Sequence, residues 1–439
     1  MSTIASPRTH TALAVRFRGA RAQTGAIIRP LTPEDMMVQS TPEASPAKWH
    51  LAHTTWFFES FVLREFLAGY KTFHPDFAWL FNSYYQSFSA FPEKRLRASF
   101  SRPPLDEILS YRRHVEEAIE RLLDSDVDPE ALRRIELGVN HEEQHQELLL
   151  TDILHTFFSN PLRPAYLPLE PGAAIFDNAF MAPQLRFLPC NGGLREVGHN
   201  GEGFAFDNEL PRHQVWIEPY QLADRLVTCG EFAQFIADGG YRRPELWLSA
   251  GWDAVQQQNW QAPLYWSRHD NLWSLFTLRG ELPLTQLETA PVSHVSYFEA
   301  DAYARWAGHR LATECEWEAA AENQPIEGNL LDSENLIPIP ASGRATTLLQ
   351  NQGPAQQQHQ SSMQCWGDCW EWTASAYLGY PGFKPLPGSL GEYNGKFMSS
   401  QMVLRGGSCV TPQAHIRASY RNFFTPETRW QFSGIRLAQ

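Results

Sequence analysis

The chain changes character part-way along. Residues 1–165 carry long stretches of helical periodicity and few glycines. Beyond a proline-rich segment at residues 160–172 (NPLRPAYLPLEPG), glycine, proline, tryptophan and short apolar runs take over. A helical repeat does not settle as strands, and turn-broken apolar runs do not extend as long helices. Two domains are therefore expected, at residues 1–165 and 173–439, in an α+β arrangement: a helical bundle, then a loop-rich mixed α/β domain.

In the first part, Thr32-Pro33-Glu34-Asp35 predicts a capped helix start. Ser45-Pro46 opens a second helix through Trp49, His53, Trp56, Phe57 and Val62. Tyr111, Val115, Ile119 and Leu122 share one face of a third, over residues 105–123. Asp128-Pro129-Glu130 opens a fourth, through Ile135, Leu148 and Ile153. Four such helices suggest an up-down bundle. Later, weaker helices are expected at residues 228–237 and 296–307, and the Gln-, Ser- and His-rich residues 350–364 predict an exposed loop.

Composition narrows the function classes. A net charge of −13 argues against a general nucleic-acid binder, which needs a basic face. With 43% hydrophobic residues and 15 tryptophans, there is material for a packed core. Six cysteines in 439 residues suit a reduced cytoplasmic protein better than a disulfide scaffold. No apolar run approaches the length that spans a bilayer, and residues 12–15 are too short for a signal-peptide core, although four arginines lie between Arg8 and Arg21. Oligomeric state has no signature here.

The chemistry-bearing residues begin with Asn140-His141-Glu142-Glu143-Gln144-His145. Two histidines four apart share a helix face and can reach one metal ion, or can simply be surface or core histidines. The spacing is not HExxH, which excludes the zinc-protease pattern. A third ligand would come from Trp49-His50-Leu51-Ala52-His53; His53 aligns with Trp49, Trp56 and Phe57 and so faces inward, as a ligand or as a satisfied core histidine. Three neutral nitrogens suit Fe, Zn, Cu or Ni and leave positions open for substrate. Tyr84 and Tyr85, in Asn82-Ser83-Tyr84-Tyr85-Gln86, are packing residues or a proton source. Arg95, Arg97 and Arg102 are a solvated face or a clamp for a substrate carboxylate.

In the second part three strings stand out: RLATECEWEAAA from Arg310, CWEWT from Cys369, and LRGGSC from Leu404 leading to RASYRNFF and GIRLA. Buried Trp with paired Arg and Glu can be purely structural. Together, however, they are similar to the signatures of the formylglycine-generating-enzyme (sulfatase-modifying factor) fold, with Ala312 where proline is usual. That fold is C-type-lectin-like. The first part resembles a DinB-like four-helix bundle. The pairing is that of the ergothioneine-type sulfoxide synthases, and the resemblance covers nearly the whole chain.

The resemblance implies a three-histidine non-haem Fe(II) held by His53, His141 and His145, with His50 and Glu142 supporting or packing around them. It implies O2 as co-substrate and hercynine and cysteine as substrates. Gln144 matches the residue that hydrogen-bonds the substrate imidazole; Asn422 and Phe423 match the pair near its trimethylammonium group. Arg95, Arg97 and Arg102 become candidates for the cysteine carboxylate, and Tyr84 and Tyr85 for proton or hydrogen-atom donation. Formylglycine generation itself is disfavoured, because residues 409–421 contain only Cys409 where a cysteine pair is needed. NSYYQ and EYNGKFM resemble the branch that uses free cysteine rather than γ-glutamylcysteine, whose acidic anchor is missing from Arg421-Asn422-Phe423-Phe424. Ovothiol synthases usually add a methyltransferase domain, and none is expected after GIRLA. Residues 87–102 depart from the cysteine-using pattern, which leaves a selenosugar as an alternative donor, and a non-catalytic binding protein on the same scaffold as a second alternative.

Overall fold

The computed structural model describes residues 7–170, 176, 182–341 and 364–439. The expected loop at residues 350–364 lies outside the described residues except for Gln364, as do the last two residues of the segment 160–172. Two compact units emerge: residues 1–162 with 385–393, and residues 163–384 with 394–439. Among the described residues, no helix is long and apolar enough to cross a membrane.

The first unit is built on four long helices: α1 (Pro7–Ile28), α2 (Ala47–Phe58), α3 (Leu105–Leu123) and α4 (Pro129–Ser159). The α3 periodicity is realised residue for residue, with Ile108, Tyr111, Val115, Ile119 and Leu122 buried. α4 starts as its sequence dictates: the Asp128 carboxylate accepts from the Glu130 N–H at 2.7 Å with proline at the first position.

Two expectations need correction. Thr32 does cap, accepting from the Asp35 N–H, but the element it opens is a single 3-10 turn, Asp35–Met37, because the chain turns extended at Val38 and meets Pro42. The helix that completes the bundle is α1, in the arginine-rich N-terminus, where no helix was expected. Its buried stripe is Phe17, Ala20, Arg21, Thr24, Ile27 and Ile28. The spacing is helical, yet Arg21 and Thr24 break the apolar signal. α2 also ends earlier than expected, passing at Glu59 into a π turn, Glu59–Leu63. There the buried Glu59 carboxylate accepts from the Tyr70 and Tyr111 hydroxyls and the Phe73 N–H.

The second unit has little regular structure. One four-stranded sheet runs β1 (Phe187–Cys190), β2 (Tyr220–Ala223), β8 (Leu437–Ala438), β3 (Arg310–Leu311). A second runs β6 (Asn422–Phe424), β5 (Met402–Arg405), β4 (Trp370–Ala376), β7 (Ser433–Gly434). Both weaker helices form one residue inside their expected starts, at Cys229–Ala237 and Tyr297–Trp306, because Thr228 and Ser296 are reciprocal caps with Glu231 and Glu299. Trp317, Trp370 and Trp372 are all buried in this core. The Trp317 indole donates to Glu371 at 2.7 Å, and Arg436 grips the same carboxylate through two bonds of 2.6 and 2.7 Å.

Candidate metal centre

His53 on α2 and His141 and His145 on α4 bring one ring nitrogen each to within 4.8 Å of the others. The ring centroids are 4.6–5.0 Å apart. α2 and α4 approach closely here because residue 138 is glycine: a Cβ there would lie 2.5 Å from the Phe58 ring. His53 is stacked between two indoles, Trp49 at 4.4 Å and Trp56 at 5.4 Å, and Phe57 tilts over His141 at 4.9 Å.

Burial, reinforced by the neighbouring imidazoles, holds His53 and His145 well below the ordinary histidine pKa. Burial pushes His141 down to about 4. All three are therefore neutral near pH 7, which is the form that ligates metal. The Nδ1 of His53 lies 2.6 Å from the Phe81 carbonyl, which can only accept, so this nitrogen carries the proton and Nε2 the lone pair. The Nδ1 of His145 faces the Nδ1 of His50 at 2.8 Å, and His50 in turn faces the Asp152 carboxylate through Nε2 at 3.0 Å. The Nδ1 of His141 is buried with no hydrogen-bond partner among the described residues. Three converging neutral imidazoles, two with their Nδ1 already engaged, fit a first-row transition metal.

Below the cluster a buried charge network ties the bundle together. Glu142 accepts from Arg21 at 2.9 Å, Arg112 at 3.1 Å and Thr24 at 2.7 Å. Burial opposes its charge, but the two guanidiniums outweigh it and hold the carboxyl at about 2. Glu142 is thus a structural anion next to a candidate ligand.

The three arginines separate. Arg95 is exposed and paired with Glu93 at 2.6 Å, and Arg102 is exposed. Arg97 is buried, its guanidinium 3.4 Å above the Trp49 ring, donating to the Ser45 and Ser83 hydroxyls at 2.8 and 2.7 Å. No carboxylate among the described residues forms an ion pair with it. Burial lowers its pKa to about 10, with Tyr84 and Asp152 opposing that shift. The two tyrosines separate as well. Tyr85 is buried against Trp56 and Phe61, whereas Tyr84 is only half-buried and interacts electrostatically with Arg97. Glu392, from the segment 385–393, accepts from the Gln86 and Ser87 N–H groups at 3.0 Å each and from the Ser87 hydroxyl, fixing the loop after the tyrosines. Gln144 is half-buried on α4 between the two histidines.

Asn422 and Phe423 lie in the second unit, on β6. The Asn422 side-chain Oδ1 accepts from the Phe423 N–H at 2.9 Å, and Phe423 stacks on Tyr377 at 4.1 Å. Sequence reasoning passed over Trp49 as a cation platform, and over Asp152, which lies seven residues after His145 and so on the same helix face.

Residues 16–149 match the DinB superfamily, and residues 181–439 match the sulfatase-modifying factor enzyme 1-like domain. A hercynine oxygenase of Mycolicibacterium smegmatis is 32% identical over 418 residues, covering 91% of this chain and 92% of that protein. The chain belongs to the hercynine oxygenase family. A second hercynine oxygenase, from Mycolicibacterium thermoresistibile, is also 32% identical and covers 91% of this chain and 88% of its own. Ergothioneine biosynthesis protein 1 of Schizosaccharomyces pombe is 25% identical, over 54% of this chain and 28% of its own length. The α+β architecture of a helical DinB domain followed by a strand-rich domain is the one these matches carry.

Proposed function

We propose that this protein is an Fe(II)-dependent oxygenase of ergothioneine biosynthesis that joins the cysteine thiol to C2 of hercynine and oxidises the new thioether to a sulfoxide. The names of relatives that span nearly the whole chain support an oxygenase acting on hercynine. The observation that carries iron is the three converging neutral imidazoles. Cysteine is supported by the NSYYQ and EYNGKFM strings and by the acidic anchor missing from Arg421-Asn422-Phe423-Phe424.

The reaction balances as hercynine C2–H plus cysteine S–H plus O2, giving the C–S bond, the S–O bond and one water. His53, His141 and His145 would hold the iron, which supplies the redox chemistry for O2 and brings the reactants together when bound. Arg97 receives a substrate carboxylate: a desolvated cation whose hydrogen bonds go to two neutral hydroxyls gains most from an anion. Gln144 hydrogen-bonds the hercynine imidazole. Phe423 on Tyr377, beside Asn422, offers an aromatic face suited to a quaternary ammonium. Tyr84, rather than the enclosed Tyr85, moves the proton to reduced oxygen. Arg95 and Arg102, both exposed, take no part.

A selenosugar donor remains a second outcome; hercynine carries a carboxylate of its own, so Arg97 has an anion to meet with either donor. The test is mass spectrometry of products formed under air from hercynine with cysteine, γ-glutamylcysteine or a selenosugar. Sulfoxide from cysteine is expected, and Tyr84→Phe should divert thiol toward plain oxidation while Tyr85→Phe leaves the product ratio unchanged. Turnover with the selenosugar alone would refute the cysteine assignment. No turnover of any donor by the iron-loaded protein would favour the non-catalytic binding protein.

A further inference from the structure

Of the three candidate ligands, His53 is held by a backbone carbonyl, His141 by no hydrogen bond at Nδ1 among the described residues, and His145 by another histidine. The last arrangement is the unusual one. A histidine between a metal ligand and a carboxylate must accept on one nitrogen and donate from the other, so the carboxylate dictates the protonation of every ring in the series.

The order of protons follows from the fixed end. The Asp152 carboxylate oxygen that faces His50 also accepts the Ser45 N–H at 2.8 Å. The Ser45 hydroxyl in turn accepts from Arg97. An anion so placed accepts from the His50 Nε2–H. His50 is then left with a lone pair on Nδ1, which accepts from the His145 Nδ1–H. His145 is left with its lone pair on Nε2, toward His53 and His141. All four side chains lie on α2, α4 or the Ser45 turn, and His50, Asp152 and Ser45 are buried, so water does not compete for these bonds.

We infer that Asp152 and His50 form a two-residue relay that locks His145 into the tautomer and ring orientation needed for ligation. They are positioning residues, not ligands. This inference rests on the metal site proposed above. It gives His50 a requirement that packing alone does not: one planar group that accepts from His145 and donates to Asp152. Glutamine can meet that requirement, because its amide carries both. Phenylalanine fills the space and meets neither.

The test uses the metal-free full-length protein and Co(II) as probe, with affinity read from the visible absorption of the bound ion and folding checked by circular dichroism. His50→Phe should weaken Co(II) binding by about 10–100-fold, the usual effect of removing a ligand's hydrogen-bond partner. His50→Gln should stay near wild type. Equal affinity of His50→Phe and wild type, or Gln as weak as Phe, overturns the relay. If the wild-type protein binds no Co(II), the metal site itself falls. The relay is then decided by nitrogen-15 NMR of the metal-free wild type, in which His145 must be the Nδ1–H tautomer and His50 the Nε2–H tautomer. The reverse assignment overturns it, and the same spectra decide the case if the His50 variants do not fold.

Discussion

In the second unit, Arg405, Arg421 and Arg436 are all buried, and each meets carboxylates: Arg421 takes both oxygens of Glu314 at 2.9 and 3.0 Å, Arg405 reaches Glu314 and Glu318, and Arg436 takes both oxygens of Glu371. In the first unit, Arg97 is nearly as deep, yet its partners are two hydroxyls and an indole face. The same contrast divides the acids and bases of the first unit: Glu142 is saturated by two guanidiniums, whereas three imidazoles converge, each bringing a ring nitrogen to within 4.8 Å of the others. Burial therefore does not mark a site. Saturated buried groups serve as scaffold, and converging buried groups with bonding capacity to spare are candidates for a site.

That distinction can be broken most sharply at the histidines. Replacing His53, His141 or His145 by alanine should abolish iron loading, measured by elemental analysis of the reconstituted protein. Full iron in all three variants would remove the centre. The next largest effect belongs to the scaffold. Arg436→Met leaves the Glu371 charge buried with only the Trp317 indole as partner, and should lower unfolding stability by about 3–5 kcal/mol by urea titration. Unchanged stability would mean the saturated pairs do not hold the second unit.

Arg97→Met tests the unspent side. It should lower kcat/KM for the substrate whose carboxylate it binds by roughly 10–150-fold, the ~1.5–3 kcal/mol of a hydrogen bond to a charged group, with metal content unaltered. Loss of fold stability without a kinetic effect would return Arg97 to the scaffold. The smallest effect is on pH dependence. Burial pushes His294, in the second unit, down to about 3, against the opposing backbone carbonyls of Trp430 and Gln431. Its folded pKa lies below its unfolded value near 6.5, so the unfolded chain takes up the proton first and stability falls as pH drops through 6.5 toward 3. Between pH 7 and 5 this group contributes a loss of roughly 2 kcal/mol, which a His294→Gln variant should lack in paired urea titrations.

Much of this was legible in the chain. α3 was, because its apolar period is unbroken, and so were the starts of the second-unit helices, because each carries a Thr or Ser three residues before Glu. α1 was not: its inward stripe includes Arg21, whose reason to be buried is Glu142, more than a hundred residues away. The histidine trio was legible as spacing plus resemblance. The choice among Arg95, Arg97 and Arg102 was not, since three arginines in one short segment look alike until Trp49 and two serines claim one of them. The separation of Tyr84 from Tyr85 was hidden for the same reason: adjacent side chains diverge only once a backbone path exists.

The annexed segment 385–393 has a consequence for synthesis. The bundle's ligand helix is complete at Ser159, but Glu392, which pins the loop after the tyrosines, is made more than two hundred residues later. At about 5–20 residues per second, the ribosome needs on the order of 10–50 s to reach it. During that interval the nascent bundle can gather its three histidines while its tyrosine loop still lacks an anchor, so the histidine cluster can assemble during synthesis before the tyrosine loop is fixed in place.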